Sequence, residues 1–345
     1  MKTLKLNITQ TNYSTLVLNT TKLLFLFFAL TLLFTSCKSD DQEEVKEDNP
    51  DGIALNERFK DNRKDAVQEF SVKAVDGGTV TGEQGTKVFF LPNSFGINGT
   101  PVTGNITVEL IEVYGKSAMV LQNRSSKGKK PNGDEEALNS AGEFFINAKQ
   151  NGTQLELLNP ANIDSRGILP ADWQPMNVFK AGDAIDDEDL WEEADENNDG
   201  ENDQAEGREG TNAQQTMVLF SNFSISSFGW SNLDRWYNFA GQLTDLFVDV
   251  PAGYNDSNCA VYLSYDGETG LARMDRYDAT QELFTEHYGR IPVGQEVHFI
   301  MLAEVGGVLQ YAIQPATIVD GHTEIITGLQ PITEADLTTL LEALP

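Results

Sequence analysis

The sequence predicts an all-β protein, two β-sandwich-like domains in tandem with a short C-terminal helix. Three observations carry this. Apolar residues recur at every second position in short runs, as in Phe70, Val72, Ala74 and in Ile106, Val108, Leu110, which is the period of a strand with one buried face. Gly and Asn punctuate those runs at turn spacing. No helical period of useful length appears in the first half of the mature chain, residues 67–229. At 345 residues and 40% apolar, the chain can fill two cores of about 100 to 200 residues each. Its 53 Asp+Glu against 24 Lys+Arg give a net charge of −29. A field of that sign repels phosphate backbones and excludes a nucleic-acid partner.

The N-terminal region comes first. Residues 1–36 hold three Lys and no acid, and eleven of the twelve residues in 23–34 are apolar. A membrane-spanning helix needs about 20 apolar residues, whereas the core of a secretory signal needs about 7 to 15. The run is therefore read as a signal peptide, and no other run is apolar enough to span. Thr35 and Ser36 lead into Cys37, an order that resembles the lipobox of bacterial lipoproteins. The resemblance implies that the Cys37 thiol receives a diacylglycerol and that Cys37 becomes the first residue of the mature protein. Acyl chains at about 0.8 kcal/mol per buried CH₂ then hold the protein on a bilayer. Asp40, Asp41, Glu43 and Glu44 resemble the acidic export tag of Bacteroidota lipoproteins, which implies the outer face of the outer membrane. The mature chain keeps 21 bases against 53 acids, a charge of −32. Residues 37–66, charged and interrupted by Asn49-Pro50-Asp51-Gly52, read as a flexible acidic stalk.

Residues 67–229 read as the first sandwich. Phe144, Ile146, Ala148 and Leu155, Leu157 alternate around Asn151-Gly152, both of which tolerate the positive φ of a type I′ hairpin. The apolar parity flips between Leu110 and Ile111, suggesting a bulge or a change of buried face. Gly77-Gly78-Thr79-Val80, Gly85-Thr86-Lys87-Val88-Phe89-Phe90-Leu91-Pro92 and Ile106-Thr107-Val108-Glu109-Leu110 resemble the opening of the ZU-five-type β-domain of ankyrins and netrin receptors. Met217-Val218-Leu219-Phe220-Ser221-Asn222-Phe223-Ser224 is similar to its closing strand. In some relatives a His-Phe-Ser tripeptide there cleaves its own Phe-Ser bond. Asn222 replaces that His and has no titratable nitrogen, so no self-cleavage is expected at Ser224.

An acidic insertion, 181–210, carries 14 Asp+Glu and one Arg. Within it Asp195, Asn197, Asp199, Glu201, Asp203 and Glu206 fit the twelve-position EF-hand pattern, with Gly200 at the sharp turn. Side-chain oxygens of Asp195, Asn197 and Asp199, the Glu201 carbonyl, a water held by Asp203 and a bidentate Glu206 would suit Ca²⁺. Against this, Asn202 takes the aliphatic anchor position and Gly207 and Gly210 oppose an exiting helix. Two readings stand: a calcium loop, or an acidic loop that matches by composition. No cofactor is required by either.

Residues 230–345 read as the second sandwich. Leu246, Val248 and Val250 alternate, 297–303 is nearly continuously apolar, and Gly306-Gly307 turns into Val308, Leu309, Tyr311 and Ile313. Thr333 to Asp336 resembles a helix start, with core duty expected of Leu337, Leu340, Leu341 and Leu344.

Catalytic machinery is not legible. His287, His298 and His322 lie far apart, and no HExxH, CxxC, GxSxG or phosphate-cradling motif occurs. His298 and Cys259 read as core residues. Arg124, Lys127, Lys129 and Lys130 form a basic island, a solvated loop tip or a contact for an anionic polymer. Trp173, Trp191, Trp230 and Trp236 are candidate sugar-stacking platforms. No catalytic residue is assigned. The expectation is a non-enzymatic surface lipoprotein, held to the membrane by its lipid, that binds an envelope protein or polysaccharide or serves structurally. The alternatives are a glycan hydrolase using a carboxylate pair between the domains, or an accessory part of a motility or secretion assembly.

Overall fold

The computed structural model describes residues 49–345 apart from Asn198 and Asn238, without the side chains of His287 and Tyr288. The signal peptide, the lipidation site Cys37 and the first part of the stalk lie outside the described residues. The rest is mostly strand, as the period-2 runs predict. Pairs are antiparallel except Leu243–Asp249 with His322–Ile325.

Four sheets stack as layers. Sheet A runs Glu206–Thr211, Met217–Ile225, Ala161–Asp164, Lys87–Phe90, Gly78–Thr81. Sheet B is the largest, with order Gln68–Lys73, Asn105–Val113, Glu135–Gln150, Gly229–Trp236, Asn177–Lys180, Glu192–Glu193. Val88, Ile163 and Phe223 of sheet A meet Val108, Phe144 and Ile146 of sheet B in the first apolar core. Sheet C runs Leu271–Arg273, Cys259–Tyr265, Glu296–Val305, Val308–Thr317, Gln330–Pro331, and sheet D runs Arg276–Asp278, Leu283–Pro292, Leu243–Asp249, His322–Ile325. Val261, Phe299 and Met301 of sheet C meet Leu246, Val248 and Phe284 of sheet D in a second core.

A third core lies between sheets B and C. Ile111, Val113, Phe145 and Trp230 from sheet B pack with Tyr262, Ile300 and Leu302 from sheet C. Three helices share this layer: α1 (Gly52–Asp65) through Leu55 and Phe59, α2 (Lys116–Leu121) through Met119 and Val120, and α3 (Glu334–Glu342) through Leu337 and Leu341. The apolar run 297–303 is thereby explained: Phe299 and Met301 face one core, Ile300 and Leu302 the other.

Several expectations change for the same reason. The parity flip at Leu110/Ile111 is not a bulge, since the register Leu110↔Ile146, Ile111↔Phe145 is unbroken. The strand is buried on both faces there because the middle core begins at Ile111. Residues 52–65, expected as stalk, form α1; the Asp51 carboxylate accepts from the Ile53 and Ala54 N–H groups at 3.0 Å each, and Leu55 and Phe59 dock one turn apart. The boundary expected at 229/230 falls inside strand Gly229–Trp236, whose pairing with Glu135–Gln150 assigns it to sheet B. The hairpin at Asn151-Gly152 has φ of 49° and 80°, as its turn type requires. In α3, Thr333 caps as expected, but Leu340 is exposed.

Candidate functional site

Sheet B positions a groove where the middle core stops. Alternate residues of strand Glu135–Gln150 share a face, so Phe145, Asn147 and Lys149 follow one another. Phe145 still has a neighbour, Trp230; that strand begins at Gly229, so on this side Asn147 has no partner in it and Lys149 pairs instead with Gln154 of the short strand Thr153–Gln154. Glu69, Glu109 and Asn147 stand opposite one another across three strands and form a polar row. The C-terminal end of α1, residues 154–157, residues 183–185 and the turn Ser226-Ser227-Phe228 wall the groove, which measures about 800 Å³.

Its geometry is held by hydrogen bonds. Glu109 accepts from Lys149 Nζ at 2.8 Å and from Asn147 Nδ2 at 2.7 Å. Gln154 Nε2 donates to Asn147 Oδ1, which fixes the amide. Both Glu109 oxygens are thus engaged as acceptors within the protein. Val67, Leu157, Ile185 and Phe228 supply apolar lining. A groove of this size with few fixed polar groups is suited to binding.

The acidic insertion builds a second, smaller pocket of about 390 Å³. Asn197, Asp203 and Glu206 line it together with Asn222, Phe223 and Ser224, so two motifs distant in sequence converge. Asp199 and Glu201 line an adjacent cavity with Asn197 and Asp203. The loop's oxygens hold backbone: Asp195 accepts from the Asp199 and Gly200 N–H groups at 3.0 and 2.9 Å, Asp199 from Glu201 N at 2.8 Å, and Asp203 from Glu196 N at 2.6 Å. Glu206 opens a strand opposite Asn222, where an EF-hand would begin its exiting helix. Among the described residues, no three His, Cys, Asp or Glu are grouped to hold a metal. Asn222 Nδ2 donates to Asp164 Oδ1 at 2.8 Å, and the Ser224 hydroxyl to Asn162 Oδ1 at 2.7 Å.

The basic island divides: Lys129 and Lys130 sit at a hairpin tip, whereas Arg124 and Lys127 are buried. Arg124 is buried, donates from Nε to Glu143 at 3.2 Å, and lays its guanidinium over Trp230 and Trp191 at 3.9 and 4.9 Å. Lys127 is buried between Glu135 and Asp275, while Lys129 and Lys130 pair with Glu192 and Glu136. Each of the four cations pairs with a carboxylate. Trp191 and Trp230 are likewise core; Trp173 and Trp236 are half-buried, their indole N–H groups donating to Ser221 and Glu193.

Glu143 belongs to a buried polar network that the sequence did not reveal. A register shift at Leu233/Asp234 sets Asp234 opposite Ser140, beside Asn232. Ser140 donates to Asn232 Oδ1 at 3.0 Å, and Asn232 Nδ2 to Asp234 at 2.6 Å. Burial pushes the Glu143 carboxyl up to about 7, against the pull of Arg124. Burial, reinforced by the Glu143 charge, holds Asp234 well above the ordinary carboxylate range. Both acids are 0% exposed, so neither touches a substrate. Cys259 is buried, with its thiol pushed up to about 12 by burial. His298 pairs with Asp266 at 2.7 Å and His322 stacks on Phe299; the His287 side chain lies outside the described residues. No family model and no curated protein matches the chain.

Proposed function

We propose that the chain is a non-enzymatic lipoprotein of the bacterial outer-membrane surface, anchored through Cys37, that binds an envelope partner through the groove on sheet B. The carrying observation is the polar row Glu69, Glu109, Asn147 set in an apolar-walled groove. Both oxygens of its central carboxyl are already taken by Lys149 and Asn147 rather than turned to a ligand. That favours binding over the hydrolytic alternative, which needs one protonated and one ionised acid facing a ligand. The order of h-region, small residues and cysteine supports the anchor. The ZU-five resemblance of residues 77–110 and 217–224 supports a shared β-domain ancestry and adds no activity. No cofactor enters this reading.

The test pairs labelling with surface exposure. Cells fed labelled palmitate incorporate label into the wild-type protein and none into Cys37→Ala, and external protease degrades the wild-type protein on intact cells. Label retained by Cys37→Ala overturns the anchor; protection from protease overturns the outward orientation.

A further inference from the structure

The chemistry of the groove points to the kind of partner, an inference that rests on the groove being the binding site. Six charged residues line it: Glu69, Glu109, Glu156, Asp183, Lys64 and Lys149. Both lysines are already engaged, Lys149 with Glu109 at 2.8 Å and Lys64 with Asp61 at 3.2 Å. Glu69, Glu156 and Asp183 are exposed and make no ion pair among the described residues. The charge presented outward is therefore negative, and the net charge of −29 adds a long-range field of the same sign.

Beside the carboxylates lie half-buried Val67, Leu157 and Ile185. A sugar would want an exposed aromatic face. The lining aromatics, Phe145 and Phe228, are 3% and 8% exposed, so the groove offers apolar contact without a stacking platform. A second copy of this chain carries the same charge and is repelled.

We propose that this groove docks an extended segment of a partner protein in which Lys or Arg alternates with apolar side chains. Alternation puts cations on one side and aliphatic groups on the other, so that one segment can meet both the carboxylates and the apolar lining of the groove. Opposite charges across the contact set the association rate and its salt dependence.

The experiment uses the full-length protein in detergent with three fluorescent probes: an alternating Lys-Leu peptide of about ten residues, its Glu-Leu counterpart, and a neutral gluco-oligosaccharide. The Lys-Leu peptide binds, the Glu-Leu peptide does not, and affinity falls about tenfold or more as salt rises from about 0.05 to 0.5 M. Glu69→Lys with Asp183→Lys, both exposed, weakens the Lys-Leu peptide about tenfold or more with the thermal midpoint unchanged. Glu296→Lys with Asp320→Lys, exposed and outside the groove, leaves it unchanged. Equal loss in both double variants overturns the proposal, because binding then follows net charge. Oligosaccharide binding that is sensitive to the groove variant, without peptide binding, overturns the cationic partner and keeps the groove as the binding site. Binding of neither probe overturns both.

Discussion

The sandwich interiors and the layer that joins them are built differently. The interiors are filled by aliphatic and aromatic side chains, Val88, Ile163 and Phe144 in one and Val261, Phe299 and Phe284 in the other. The joint has such a core too, yet all three buried cations among the described residues, Arg63, Arg124 and Lys127, lie along it. Arg63 of α1 donates to the Gln122 carbonyl at 2.6 Å and reaches Asp186 and Glu188. Arg124 meets Glu143, and Lys127 meets Asp275 beside sheet C. Apolar area holds two sheets together but tolerates sliding, whereas a buried ion pair has one good geometry and is costly anywhere else. The Lys127–Asp275 pair spans the joint, whereas Arg63 and Arg124 are held by groups on its sheet B side; the pair adds a fixed geometry where the area supplies the adhesion.

The largest effect comes from breaking one partner. Arg124→Met leaves the Glu143 carboxyl buried without its partner, so that it must either stay charged uncompensated or take up a proton, and costs about 3 to 5 kcal/mol in denaturant unfolding above neutral pH. That matches or exceeds Ile163→Ala in the first sandwich, expected at about 2 to 5 kcal/mol. Adding Glu143→Leu to Arg124→Met recovers most of the loss, because the uncompensated charge is gone. Failure of the second change to recover stability would mean that the joint depends on Arg124 packing over the two tryptophans rather than on charge.

The second effect is a pH slope. The Glu143 carboxyl titrates at about 7 when folded, against an ordinary value of 4.5. The unfolded chain thus loses this proton first as pH rises. The stabilisation is complete below the ordinary value and disappears as pH climbs through about 7, a loss of about 3 kcal/mol. Asp234, also raised, acts in the same direction. Unfolding measured from pH 5 to 8 shows the wild type losing stability relative to Glu143→Gln; a difference that grows with pH in the opposite sense would refute the assignment.

This contrast also explains what could be read from the sequence. Strands, turns and the C-terminal helix were legible because period-2 burial and turn residues are local signals. Helix α1 left a faint one: Asp51 as cap, Leu55 and Phe59 one turn apart, Arg63 and Lys64 in the last turn. Its charged surroundings hid it, since a helix that buries only a narrow stripe resembles a solvated linker. The middle core was visible only as the parity flip at Ile111, because a strand buried on both faces loses its alternation. Arg124 and Lys127 could not be placed, as their carboxylate partners Glu143 and Asp275 lie 19 and 148 residues away. The groove row Glu69, Glu109, Asn147 depends on register, which the strands' sequences leave open.

A smaller effect probes the joint without charge. The Tyr262 hydroxyl of sheet C donates to Asn123 Oδ1 at 2.6 Å, in the segment following α2. Tyr262→Phe leaves that buried oxygen without its donor and costs about 1 to 3 kcal/mol. The sandwich interiors should keep their order, so amide exchange quickens around 120–126 and 260–264 first. Uniform loss of protection across both sandwiches would show that the joint and the interiors unfold as one.

The smallest effect is expected where acids are densest. The loop around Asp195 and Asp199 is rich in carboxylates, but these two, half-buried and exposed, turn to backbone N–H groups rather than to buried cations. Exposed groups of this kind contribute about 1 kcal/mol or less. Asp195→Ala with Asp199→Ala should therefore leave global stability nearly unchanged. The calcium reading is decided by the same pair of proteins. Asp195 accepts from two N–H groups and Glu206 sits in a strand opposite Asn222, so a calcium site would have to displace both. Titration calorimetry with CaCl₂ should give equal heats for the wild type and the double variant. A heat lost in the variant would mean that the loop closes around calcium and that Glu206 leaves its strand to do so.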